Sequence, residues 1–250
     1  MKSLIVANWK MNPATFREAK KLFEATKKAA DKFPRASVIV APPSIFLREF
    51  SSTYKGRKLS FAAQNAHYEH GGAHTGEISV LQVKDAKAHY LIVGHAERRA
   101  SGETDDDVGK KVAAALTIGL SVILCVGERE RSKAGEYFAF VRRQLLAALA
   151  DAPAAKLSRI VIAYEPVWAI GAAQPMNPRD MHEMSIFIRK TLVEKFGDAG
   201  MKTKVLYGGS IDPTNAADMM RYGEVQGLLV GRASTDGAKF SELLGSVSVL

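Results

Sequence analysis

Eight short apolar runs, each leading into a helical pattern, limit what this chain can fold into more than any other feature. The runs are Leu4–Asn8, Val38–Ala41, Leu59–Gln64, Tyr90–Gly94, Ser121–Val126, Ile160–Tyr164, Lys204–Tyr207 and Gly227–Val230. They are rich in Val, Ile and Leu and apolar on both faces. A strand apolar on both faces is covered on both sides, as parallel strands are in α/β proteins. Between Thr15 and Phe33, residues Phe16, Ala19, Leu22, Phe23, Thr26 and Ala30 fall on one helical stripe. Thr104 followed by Asp105, Asp106 and Asp107 reads as a capped N-terminus ahead of a helix over Val108 to Ile118. Pro178 opens a helix through Phe196, and Pro213 precedes another through Arg221. Gly119 and Gly223 are placed to end helices. Repeated βα units without a break in composition predict a closed (β/α)8 TIM barrel, one domain over residues 1–250.

Charge and cysteine usage narrow the function classes. The formal net charge is +9. A positive surplus serves solubility as well as attraction of an anion, so it names no ligand by itself. The basic residues are scattered along helices, as in Lys20-Lys21 and Lys27-Lys28, with no dense tract interleaved with aromatics. Nucleic acid is therefore not the expected partner. The single cysteine, Cys125, permits no intrachain disulfide and lies in an apolar run. It is expected in the core, and a reducing cytoplasm is the expected compartment. No apolar stretch is long enough to span a bilayer, so no membrane role is expected. Met1-Lys2-Ser3-Leu4 enters a strand at once, which argues against a signal peptide.

In such a barrel the chemistry gathers at the C-terminal ends of the strands. The sixth run delivers Glu165, then the turn Pro166-Val167-Trp168 and small residues suited to a moving flap. The fourth delivers His95, and the first delivers Asn8 with Lys10 just beyond. A carboxylate can take a proton from carbon, and a flap can keep water from what results. The seventh and eighth runs lead into Tyr207-Gly208-Gly209-Ser210 and Gly231-Arg232-Ala233-Ser234. Glycine-containing loops at those two positions are where backbone N–H groups and a short helix N-terminus hold phosphate. His67, His70 and His74 have a spacing that suggests a metal. The Gly71-Gly72 pair between them gives no rigid ligand frame, and no metal site is expected.

Seven short pieces in order complete the pattern: Asn8-Trp9-Lys10-Met11-Asn12, Ala62-Ala63-Gln64-Asn65, Thr75-Gly76-Glu77, Gly94 to Arg99, Tyr164 to Gly171, Tyr207 to Ser210, and Gly231 with Ala233-Ser234. Together they resemble the triosephosphate isomerase family over nearly the whole chain. The resemblance implies interconversion of dihydroxyacetone phosphate and D-glyceraldehyde 3-phosphate through an enediol(ate), in glycolysis and gluconeogenesis, with no cofactor. It makes Glu165 the base and His95 a neutral hydrogen-bond donor, a pairing for which this family is a well-known case. Lys10 supplies positive charge, Asn8 helps hold Lys10 and the substrate oxygens, and Glu97 positions Lys10. Gly171, Ser210, Gly231 and Arg232 present the phosphate site, while Pro166, Trp168 and Tyr207 serve the lid and its hinge. The resemblance also implies a homodimer through the Asn65–Ser79 loop. Thr75 would approach Lys10 or Asn8 of the other subunit, and Arg98 would meet a glutamate, for which Glu77 is the candidate.

Three features depart from the family pattern. The flap reads Gly171-Ala172-Ala173 rather than Gly-Thr-Gly, Ala96 stands where serine is usual, and Arg232 replaces the second glycine of the last phosphate turn. The Arg232 side chain is expected to point away from the site, leaving only its N–H for the phosphate. Two other readings are another phosphosugar isomerase or aldolase on the same barrel, and a barrel that binds a phosphorylated ligand without turning it over. An aldolase needs a Schiff-base lysine at the end of a central strand, and Lys10 lies beyond the first.

Overall fold

The computed structural model describes residues 2–132, 134–172 and 175–248. Their strands are β1 (Ser3–Asn8), β2 (Ala36–Ala41), β3 (Leu59–Ala63), β4 (Tyr90–Val93), β5 (Ser121–Val126), β6 (Ile160–Tyr164), β7 (Lys204–Tyr207) and β8 (Gly227–Val230). All pair in parallel in sequence order, and β8 closes onto β1 through Leu4–Gly227 to Ala7–Val230. This is a (β/α)8 TIM barrel.

The two apolar faces of the strands divide into two cores. One set, including Val6, Ile39, Ile92, Ile123, Leu206 and Leu229, fills the barrel interior. The alternate set, including Ile5, Val38, Leu91, Val122 and Val205, packs outward against the helices. A strand of period two whose sides both meet apolar partners must read as a continuous hydrophobic run.

The helices that follow the strands are α1 (Phe16–Lys32), α2 (Ser44–Thr53), α3 (Val80–Asp85), α4 (Ala96–Ala100), α5 (Asp105–Thr117), α6 (Glu136–Ala148), α7 (Pro178–Phe196), α8 (Ala216–Tyr222) and α9 (Gly237–Val247). Thr15 and Thr104 each complete a capping box, with Glu18 and Asp107. Gly119 follows α5 with φ +82°, the left-handed conformation that favours glycine. Gly223 also ends its helix, but at φ −82° it is right-handed, so left-handed freedom is not the reason for it. Helix α8 starts at Ala216, because Asp212 first folds Thr214 and Asn215 into a turn through its side chain. Among the described residues, no helix is long and apolar enough to cross a membrane.

Candidate active site

Parallel closure brings the C-terminal ends of β1, β4, β6, β7 and β8 around one cleft of about 640 Å³, within the size range of small-molecule sites. Asn8, Lys10, His95, Glu165, Gly171, Ser210, Gly231 and Arg232 all line it. The ends of the first, fourth and sixth strands therefore share a site, as their positions in the sequence imply.

Glu165 is 3% exposed and its Oε1 lies 3.2 Å from His95 Nε2. Its Oε2 accepts the Ala96 N–H at 3.3 Å, so a backbone donor serves the carboxylate at the position where alanine replaces serine. Burial alone would raise the Glu165 pKa, but His95 and these hydrogen bonds more than offset it and hold the carboxyl below its ordinary value. The group is thus ionised and ready to accept a proton. Two small residues make room for the charged side chains. A Cβ on Gly208 would lie 2.7 Å from Glu165 Cγ, and one on Gly231 would lie 3.3 Å from Lys10 Cε.

His95 caps α4, with its Nδ1 accepting the Glu97 N–H at 3.2 Å. An accepting Nδ1 carries no proton, so the neutral ring bears its hydrogen on Nε2, facing the cleft. Burial favours that neutral form, but the adjacent Glu165 carboxylate outweighs it and raises the His95 pKa above the ordinary 6.5. This rise depends on Glu165 resting against the ring. Apart from Glu165, burial and the Lys10 charge favour the neutral ring, while the Glu97 charge opposes them.

Lys10 has φ +53°, a left-handed conformation that is costly for a residue with a side chain. Two side chains hold it there. Asn8 Oδ1 accepts the Lys10 N–H at 3.1 Å, and Gln64 Nε2 donates to the Lys10 carbonyl at 2.8 Å. At the other end, Lys10 Nζ meets Glu97 Oε1 at 2.5 Å. Glu97 therefore positions the ammonium, and a lysine held as an ion pair is poorly suited to act as a free-amine nucleophile.

The flap is anchored at both ends. Trp168 Nε1 donates to Glu128 Oε1 at 2.9 Å, and Tyr164 Oη donates to the same carboxylate at 2.8 Å. The Val167 N–H donates to the Glu128 carbonyl at 2.9 Å. At the far end, the Met176 N–H donates to Tyr207 Oη at 3.3 Å, and burial pushes the Tyr207 hydroxyl up to about 12. Pro166 opens the short turn Val167–Ala169. Of the flap departures, Ala173 lies outside the described residues. Ser210 lines the cleft, but its N–H donates to the Ala169 carbonyl at 3.0 Å, so the β7 loop is tied to the flap base.

Two residues missing from the sequence reading of the site are Glu128 and Gln64. Glu128 stands just beyond β5, the same kind of position that marks Glu165, and it is 2% exposed. That placement was the available signal. The Arg232 side chain differs from expectation: it lines the cleft, and its Nη2 lies 3.4 Å from where a Cβ on Gly171 would sit. Its backbone shows no left-handed strain, because Arg232 opens a short helical turn through Thr235. The turn conformation thus agrees with the sequence reading, while the side chain reaches over the site.

Cys125 is fully buried, and burial followed by the Glu165 charge raises its thiol pKa well above the ordinary range. It is a core residue and a poor nucleophile. His67 and His74 stack ring on ring at 4.1 Å, and His74 pairs with Glu69 at 2.9 Å.

Comparison with known proteins agrees with this geometry. The family model described as triosephosphate isomerase matches residues 3–247. A triosephosphate isomerase of Aquifex aeolicus is 40% identical over 98% of this chain and 100% of its own length. One of Endomicrobium trichonymphae is 39% identical over 97% of the chain and 98% of its own. One of Granulibacter bethesdensis is 41% identical over 96% and 97%. With a family match over almost every residue and relatives of full length, the chain belongs to the triosephosphate isomerase family.

Proposed function

We propose that this single-domain chain interconverts dihydroxyacetone phosphate and D-glyceraldehyde 3-phosphate, as a soluble cytoplasmic enzyme of glycolysis and gluconeogenesis. The observation that carries the reading is the meeting of an ionised Glu165, an Nε2-protonated His95 and the Lys10 ammonium in one cleft. Glu165 takes a proton from carbon 1 of the ketose, and the electron pair moves through the new carbon–carbon double bond onto the carbonyl oxygen. His95 Nε2–H gives that oxygen its proton and takes up the proton of the neighbouring hydroxyl. Glu165 then returns its proton to carbon 2, which leaves the aldehyde. Lys10 offsets the negative charge of the enediolate. Gly171, Gly231 and Arg232 supply backbone N–H groups to the phosphate, and the flap from Pro166 to Pro178 excludes water. A coupled assay of the purified chain with D-glyceraldehyde 3-phosphate tests the reading, which absence of turnover overturns.

We further propose that the working form is a homodimer joined through the Asn65–Ser79 loop. The loop is pinned at its base, where the His67 N–H donates to the Ile78 carbonyl at 2.7 Å, and Thr75 is exposed at its tip. Beside it, Glu77 and Arg98 line a hollow of about 280 Å³ with Asn8 and Lys10. Within the chain, among the described residues, Glu77 and Arg98 do not pair with each other. Met11 is 92% and Ile45 80% exposed near the same rim, an apolar surface that a second copy would cover. Sedimentation is expected to give about twice the 27.1 kDa chain mass. A monomer with full activity at nanomolar concentration overturns the dimer.

A further inference from the structure

Arg232 occupies a position where the family's last phosphate turn carries glycine, so its side chain is an addition that the common chemistry does not call for. Its guanidinium stands between two loops that face the phosphate end of the cleft: it springs from the β8 turn, and its Nη2 approaches Gly171 on the flap. Among the described residues it makes no ion pair and no side-chain hydrogen bond, although Asp212 and Asp236 line the same cleft. Each already accepts hydrogen bonds through one carboxylate oxygen. Asp212 Oδ1 accepts from the Thr214 N–H at 2.8 Å and its hydroxyl at 2.6 Å. Asp236 Oδ1 accepts the Ala238 and Lys239 N–H groups at the start of α9. Glu97 holds Lys10.

The flap opposite has changed as well. Its Gly171-Ala172-Ala173 sequence lacks the hydroxyl that threonine gives the family flap. A guanidinium without a protein partner, at the mouth of a phosphate cleft and against a flap that has lost a polar group, has an evident acceptor in the ligand itself. Its planar fork suits two phosphate oxygens at once. We infer that the Arg232 side chain is a phosphate clamp, binding the substrate phosphate from the β8 side of the cleft, opposite Gly171. The inference deepens the triose phosphate reading and rests on it.

Steady-state kinetics of wild type, Arg232→Gly and Arg232→Lys test the clamp, with inorganic phosphate as a competitive inhibitor. In Arg232→Gly, KM for D-glyceraldehyde 3-phosphate and Ki for inorganic phosphate are expected to rise together by about 10-fold or more at low salt, with a smaller change in kcat. Arg232→Lys is expected to recover part of the loss, because charge returns without the fork. The difference between wild type and Arg232→Gly should narrow as salt screens the exposed charge. Arg232 is exposed on its turn, so the variants should fold, and an unchanged melting temperature checks this. KM and phosphate Ki within two-fold of wild type in Arg232→Gly overturn the clamp while leaving the isomerase reading intact. A wild-type chain that does not turn over the triose phosphate overturns that reading instead.

Discussion

Replacing Glu165 with alanine is expected to lower kcat by about 10²- to 10⁴-fold, the range in which a positioned general base contributes. KM should change far less, because the phosphate contacts come from other loops. Glu165→Asp is a finer probe. It keeps the charge but withdraws the carboxylate by one methylene, and a misplacement of about 1 Å can cost about 10²-fold. The fold should survive both changes, since the strand around this position is held by parallel pairing of β6 with β5 and β7. Steady-state assays of the two variants check the assignment, and wild-type kcat in either would place the base elsewhere.

His95→Gln is expected to lower kcat more than it raises KM, with the loss again within about 10²- to 10⁴-fold. Glutamine keeps an N–H donor near the carbonyl oxygen but cannot pass a proton between the two oxygens. The protonation state carries a second test. In the ligand-free protein the adjacent Glu165 carboxylate raises the imidazole pKa, and a base engaged with substrate is expected to leave the ring. Nitrogen NMR of the complex with an unreactive phosphorylated analogue should therefore show a neutral His95 protonated at Nε2 at neutral pH. An imidazolium in that complex would contradict the role.

Much of this site was legible because the barrel turns linear order into geometry. A polar residue just past an apolar run lands on the catalytic face, so Glu165, His95, Asn8 and Lys10 could be placed together from their positions alone. Strand edges were read to within a residue or two, with β2 beginning at Ala36 rather than Val38. Other features depend on tertiary neighbours. Glu128 belongs to the flap hinge only because β5 and β6 are adjacent, bringing Tyr164 and Trp168 onto its carboxylate. The left-handed backbone of Lys10 is held by Gln64 from a different strand end. The helical turn at Arg232 could be argued from local conformation, but the direction of its long side chain depends on which loops face it across the cleft.

The central claim is that Glu165 moves a proton between adjacent carbons through an enediol(ate) intermediate. Turnover of dihydroxyacetone phosphate in D₂O, followed by proton NMR, tests it most directly. A carboxylate base that exchanges with solvent during the lifetime of the intermediate should leave deuterium on the reacting carbon, with one stereochemical outcome, and Glu165→Ala should lose this signal together with activity. Isomerisation with complete retention of the substrate's own hydrogen and undiminished turnover in Glu165→Ala would point to direct hydride transfer. Undiminished exchange in Glu165→Ala would show that another group is the base.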